Sequence, residues 1–179
     1  MTGRVFAVVG PSGVGKDTLL AGAVAQSFRL HWARRTVTRS VVAGDEPFEV
    51  VTTDEFDFLS SAGVFALEWP AHGLRHGIRS CEFAGLVQGM DIVFSGSRAA
   101  LPAAQQRFPG LTVLRVSAPS RVLAERLAAR GRESVAEIEA RLARASYQLP
   151  EGLSVIDIAN DTTPVEGARR LLAALQPRG

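Results

Sequence analysis

Cysteine is nearly missing from this sequence: Cys81 stands alone among 179 residues. That excludes a disulfide framework and a cysteine-based metal site. No apolar run approaches the roughly 18 residues that a membrane-spanning helix needs, so no membrane partner is expected. The first residues pass straight into a strand-like segment and leave no room for a signal peptide, which makes a cytoplasmic location the expectation. Histidine occurs three times, as His31, His72 and His76, too scattered to propose a catalytic dyad or a metal cluster. Neither sign of charge dominates, and the net charge of +2 gives no argument for a nucleic-acid partner. Lysine is the most telling absence. Of twenty basic residues nineteen are arginine, and the one lysine is Lys16. Arginine-rich coding explains the bias but not the position.

What is present reads as one globular domain spanning 1–179. Apolar residues make up 46% and charged residues 21%, ordinary values for a chain with a real core. Arg4 to Val9 is a short apolar run suited to a buried strand, and Asp17 to Ser27 follows with helical spacing of Leu19, Leu20, Ala23 and Val24. After a less regular stretch from Arg29 to Thr52, Thr53 is placed to cap a helix to about Ala62. Val64 to Trp69 and His72 to Ile78 read as extended pieces on either side of Pro70. Strands at Asp91 to Phe94, Leu111 to Val116 and Val155 to Ile158 then alternate with helices: an Ala-rich one around Pro102, one over Pro119 to Arg130, and one opening at Ser134 with a capping box to Glu137. A final helix opens at Thr163-Pro164-x-Glu166. Alternation of this kind predicts an α/β fold, a parallel sheet covered on both faces. The block over about 36–78 breaks the rhythm and reads as an inserted, mostly β lobe.

Chemistry concentrates first in Gly10-Pro11-Ser12-Gly13-Val14-Gly15-Lys16, which has the spacing of a phosphate-binding loop between a strand and a helix. Glycines allow the positive φ angles that turn successive N–H groups toward one point. The helix beginning near Lys16 aims its unpaired N–H groups at the same place. These residues, with Asp17 and Thr18, are therefore expected to bind ATP, Lys16 reaching the β- and γ-phosphates. The motif departs from its usual form where Asp17 replaces the hydroxyl residue that touches Mg²⁺, with Thr18 one step later. Neither Val93-Phe94-Ser95 nor Leu114-Arg115-Val116-Ser117 ends in an acidic residue. Asp17 is accordingly the expected Mg²⁺ site, directly or through water, because hard cations favour carboxylate and water oxygens. Its alternative is a carboxylate that merely supports the helix N-terminus.

Arginines supply the second constellation. Gly131 interrupts the helix between Arg130 and Arg132, and Arg141 and Arg144 share one side of the next helix. A lid over about 128–147 carrying these four would stabilise the transferred phosphoryl group and expel water. Arg121 and Arg126 are read as surface residues, with Glu125 as a local partner. A further group, Arg34, Arg35 and Arg39 around Thr36 and Thr38, guards the inserted lobe, where bidentate guanidinium groups suit acceptor phosphates.

With these residues in place, the chain resembles the guanylate-kinase-like fold in GPSGVGK, Thr38-Arg39, Phe65 to Glu68, Arg130-Gly131 and Asn160-Asp161, over nearly its whole length. Within that group it is most similar to the ribose 1,5-bisphosphate phosphokinases, through Gly15-Lys16-Asp17, Trp69 to Leu74, Ser95 to Ala99, Arg130 to Glu133 and Ala140 to Ala145. The resemblance implies a P-loop kinase with a three-layer α/β/α core, five parallel strands, an acceptor-binding lobe and a helical lid. It implies ATP and Mg²⁺ as cofactors and a small sugar phosphate as substrate. The reaction it implies is phosphorylation of ribose 1,5-bisphosphate to 5-phosphoribosyl 1-diphosphate, in phosphonate catabolism. The strand ending at Ser95 lacks the acidic residue that guanylate kinases use near guanine, and Phe48 and His76 stand near places where those enzymes carry tyrosine; the only tyrosine, Tyr147, lies elsewhere. Arg35, Thr38, Arg39, Glu68, His76 and Ser95 form the implied acceptor set, Glu68 facing ribose hydroxyls or serving only as an exposed strand carboxylate. Asn160 and Asp161 match the adenine-side turn, or form only a turn. Guanylate kinase activity and a non-catalytic binding module are the alternatives.

Overall fold

The computed structural model describes residues 2–38, 48–129, 138, 142 and 148–176. In chain order its strands are β1 (Val5–Val9), β2 (Leu30–Trp32), β3 (Arg35–Val37), β4 (Phe48–Val50), β5 (Phe65–Ala71), β6 (Leu74–Arg79), β7 (Asp91–Ser95), β8 (Thr112–Ser117) and β9 (Ser154–Ala159). The helices are α1 (Lys16–Val24), α2 (Thr53–Ser61), α3 (Leu101–Arg107), α4 (Ser120–Ala128) and α5 (Pro164–Leu175), with 3-10 helices at Ser80–Gln88 and Arg98–Ala100.

β1 is apolar and buried at every position, which a strand can be only where both faces of its sheet are covered. It lies at the centre of a five-stranded sheet ordered β2–β7–β1–β8–β9, parallel throughout. Alternation along β1 divides the core in two. Phe6 and Val8 pack with Leu19, Leu20 and Ala23 of α1, Leu123 of α4, and Leu171 and Leu175 of α5. Val5, Ala7 and Val9 face the other way, toward Leu101 and Ala104 of α3, Phe83, and Leu67, Trp69 and Ile78. The last three belong to a second sheet, ordered β4–β3–β6–β5. There β3 and β4 run parallel, and β6 is antiparallel to both β3 and β5.

The parallel core and its helices follow the sequence expectation, with instructive differences. β2 falls in the stretch read as irregular; at three residues it is too short for periodicity to register. β5 runs through Pro70, read as a break. β5 is the sheet's edge strand, where a missing N–H removes no ladder bond. The N-cap of α2 is Thr52, not Thr53: the Thr52 hydroxyl accepts from the Glu55 N–H, and the Glu55 carboxylate accepts from the Thr52 N–H, closing a capping box. At α5 the Thr163 hydroxyl accepts from the Glu166 N–H as expected, but the Glu166 carboxylate turns to Arg169 and Arg170. The 3-10 helix at Ser80–Gln88 follows β6 in a stretch with no expected element. The capping box at Ser134 and the lid arginines lie outside the described residues.

Candidate phosphate-binding site

Parallel strands deliver their C-terminal ends to one edge, where ligands of open α/β sheets bind. The P-loop follows β1 at that edge. The loop Ser95-Gly96-Ser97 follows β7 there, and Asn160 follows β9.

Local geometry of the P-loop follows from its glycines. Gly13 and Gly15 hold φ of 80° and 89°, the left-handed region that side chains avoid. Gly15 is the N-cap of α1, and its carbonyl accepts the Leu19 N–H at 3.1 Å. No side-chain cap is made there, so the helix leaves N–H groups for an anion. The Lys16 ammonium folds back over the loop and donates to the carbonyls of Gly10 at 2.9 Å and Pro11 at 3.2 Å. A cation thus sits against the concavity that the loop amides define. These features fit the tail of a nucleoside triphosphate.

Asp17, in the first turn of α1, accepts a long hydrogen bond of 3.4 Å from the buried Ser95 hydroxyl. The end of β7 and the start of α1 thereby bring a carboxylate and a hydroxyl together beside the loop. Among the described residues no group of three or more His, Cys, Asp or Glu side chains converges to hold a metal unaided.

Asn160 and Arg126 approach the loop from behind. Asn160 is only 4% exposed. Its Nδ2 donates to the Val14 carbonyl at 2.7 Å, and its main-chain N–H donates to Ser117 at 2.8 Å. Arg126 of α4 donates Nη1 to that same Val14 carbonyl and Nη2 to the Asn160 carbonyl, both at 3.3 Å. Asp161 pairs instead with Arg170 at 2.8 Å; that hydrogen bond holds its carboxyl below the usual range. Arg126 is therefore not the surface residue expected. The signal was available: Leu123, Arg126 and Leu127 share one helical face by spacing. Leu123 is core, and Leu127 lies where a Cβ on Gly13 would meet it at 2.8 Å. Arg121, by contrast, is exposed and pairs with Glu125.

The second sheet distributes the expected acceptor residues over two faces. Register pairs His76 with Val37 on one side and Trp69 on the other, while Gly77 opposes Thr36 and Glu68. Since successive side chains alternate, His76, Trp69 and Arg35 share one face and Glu68 and Thr36 the opposite one. His76 is 8% exposed and stacks on Trp69, ring centroids 5.5 Å apart. Burial, with the nearby Arg35 guanidinium, pushes its pKa down to about 4. Its Nδ1 and the Trp69 indole N–H are both buried with no partner among the described residues.

Glu68 accepts from the Ser60 hydroxyl of α2 and lies 3.7 Å from Arg75. Thr38 is tied to β6: its N–H donates to the Arg75 carbonyl and its hydroxyl accepts from the Arg75 N–H. Arg34 turns to Glu82, which it shares with His31. Glu49 accepts from Thr36 and from Nε and Nη2 of Arg79; burial raises its pKa, but these bonds outweigh it and the net direction is down. Arg39 and Arg130, Arg132, Arg141 and Arg144 fall outside the described residues.

Comparison with known proteins places these features in context. No family model matches the chain. It is 47% identical over 93% of its length to ribose 1,5-bisphosphate phosphokinase PhnN of Ruegeria sp. strain TM1040, covering 87% of that protein. With the protein of the same description from Burkholderia mallei it shares 44% identity, over 97% of this chain and 95% of the relative. A bifunctional ribose 1,5-bisphosphokinase-thymidine phosphorylase of Azorhizobium caulinodans is also 44% identical over 97% of the chain, which spans about a quarter of that longer protein, 26%. Among solved structures, guanylate kinase of Anaplasma phagocytophilum superposes with a TM-score of 0.68 over 97% of this chain and 85% of its own, at 17% identity. That likeness is one of fold.

Proposed function

This chain belongs to the ribose 1,5-bisphosphate phosphokinase family, and from that premise we infer that it transfers the γ-phosphoryl group of ATP to ribose 1,5-bisphosphate, forming 5-phosphoribosyl 1-diphosphate. The observation that carries the reading within this chain is the P-loop itself, with Lys16 bent over two left-handed glycines at the C-terminal edge of a parallel sheet. ATP supplies the phosphoryl group, and Mg²⁺ when bound would supply positive charge against that of the phosphates.

The acceptor is a phosphate monoester, whose second pKa near 6 leaves its oxygens largely deprotonated at neutral pH. An oxygen of the sugar's 1-phosphate forms the new bond to the γ-phosphorus, and the bond from that phosphorus to the β,γ-bridging oxygen breaks. No proton has to be removed, so no general base is needed. This agrees with a site whose side chains are a cation, a carboxylate and hydroxyls. The chain's work is alignment and charge stabilisation. The loop amides and Lys16 hold the phosphate tail. Asp17, next to Ser95, is the residue that would hold the metal, directly or through water. Arg130, Arg132, Arg141 and Arg144 keep the role the sequence gives them, at the transferred group. Arg35, Thr38 and Arg39 take the acceptor phosphates. We assign the buried Nδ1 of a neutral His76 and the buried Trp69 indole N–H to a sugar hydroxyl, the first as acceptor and the second as donor. No helix among the described residues is long and apolar enough to cross a membrane, and we assign the protein to the cytoplasm.

Phosphorus NMR of a mixture of ATP and ribose 1,5-bisphosphate tests the reading. A diphosphate on the sugar's C1 is expected, with GMP in a parallel reaction giving little ADP. Turnover of GMP alone would overturn the assignment in favour of a guanylate kinase. No transfer to either acceptor would point to a binding module.

A further inference from the structure

We propose that Arg126 and Asn160 are positioning residues that set the direction of the Gly15 amide in the phosphate cradle, acting through the Val14–Gly15 peptide. The inference rests on the nucleotide-binding reading above and adds a role that acts through the loop's main chain rather than by contact with phosphate.

The argument begins with a planar peptide. In a trans peptide the carbonyl oxygen and the following N–H point in opposite directions, and the described chain contains no cis peptide bonds. The Val14 carbonyl is drawn to one side by the Asn160 amide at 2.7 Å and the Arg126 guanidinium at 3.3 Å. The Gly15 N–H must then point away from both, into the loop. Two donors on one carbonyl leave that peptide little freedom to flip. The next residue reinforces this, since Gly15 sits at φ 89° and caps α1.

The clamp is itself held in place. Arg126 spans two carbonyls with one fork, Val14 and Asn160, and so ties α4, the turn after β9 and the P-loop together. The Asn160 main-chain N–H is anchored on β8 at Ser117. Gly167 of α5 makes room for its side chain, because a Cβ there would lie 2.7 Å from Oδ1. A Cβ on Gly15 would meet Nδ2 at 2.7 Å, so the loop and the clamp are in van der Waals contact. An amide aimed before the phosphate arrives needs no reorganisation on binding, which is where preorganised donors gain their strength.

Arg126→Met and Arg126→Lys in the full-length protein test this, with ADP as the probe. Arg126 is half-buried on α4, and methionine keeps its length, so folding should survive; a thermal melt checks it. Isothermal titration should show ADP binding to Arg126→Met weakened by about 10- to 100-fold, the range for losing one well-aimed hydrogen bond to a charged group. Arg126→Lys, which reaches one carbonyl but cannot fork to two, should fall between. KM for the acceptor should move less than about twofold, the split expected of a defect confined to the nucleotide side. In ¹⁵N-labelled protein the Gly15 amide proton should move downfield on adding ADP to wild type and move less in Arg126→Met. Equal ADP affinity in all three proteins, or an unchanged Gly15 shift, overturns the inference while leaving the nucleotide reading intact. Failure of wild type itself to bind ADP overturns that reading instead.

Discussion

Acidification between about pH 7.5 and pH 5 tests how the second sheet is built, because among the described residues His76 is the buried group whose charge state changes the stability in that window. His76 lies between β3 and β5, stacked on Trp69, with the Arg35 guanidinium on the same face and its Nε2 within 3.4 Å of the Ala71 carbonyl. Burial and that guanidinium lower its folded pKa to about 4, from the ordinary histidine value of 6.5. Below 6.5 the unfolded chain takes up a proton that the folded chain refuses. Stability is therefore full above the unfolded pKa, falls as the pH drops toward the folded one, and levels off below it. The full shift corresponds to about 3 kcal/mol, of which about 2 kcal/mol is lost by pH 5. Carboxylates held below their usual range, such as Glu49 and Asp157, titrate lower and contribute little in this window. The assay is urea unfolding at a series of pH values for wild type and His76→Phe, which keeps the aromatic stack and cannot take up a proton. Wild type should lose about 2 kcal/mol more than the variant over the window. Equal losses would refute the burial of a neutral imidazole at this position.

Three further outcomes bear on the site. Lys16→Met should lower kcat by at least about 10²- to 10³-fold, the scale for removing one preorganised donor from a transferring group, and coupled ADP release measures it. In Asp17→Ser and Asp17→Ala the Mg²⁺ concentration giving half-maximal rate should rise, more in the alanine variant, because carboxylate oxygen is the harder ligand; unchanged Mg²⁺ dependence in both would remove Asp17 from the metal site. Gly15→Ala forces a side chain into φ 89° and onto Asn160. It should cost about 1–3 kcal/mol of stability and abolish measurable ADP binding by titration calorimetry.

What the sequence made legible was chemistry carried by contiguous residues and structure carried by long periods. The P-loop needs only its own spacing and the strand and helix on either side to be recognised. β1, β7 and β8 announce themselves because strands covered on both faces carry near-continuous apolar runs. Elements that depend on a neighbour were harder to see. β2 exists because β7 offers it a free edge at Leu30, His31 and Trp32, and three residues carry no pattern. β5 continues through Pro70 because only β6 lies beside it, a fact of topology rather than composition.

The same distinction separates the site residues. A one-residue step along β5 takes Trp69 to one face and Glu68 to the other, so two neighbours of similar apparent promise face different surroundings. Which face each takes is decided by register with β6, and nothing in the local string specifies register when both faces are partly covered. Arg126 shows the converse. It lies 34 residues from Asn160 in the chain yet donates to its carbonyl, and its importance appears only once α4 and the end of β9 converge on Val14. Groups that touch phosphate must obey a motif, because phosphate chemistry fixes their spacing. The residues that aim those groups are constrained only by where the fold brings them, so they can come from any element that reaches the loop.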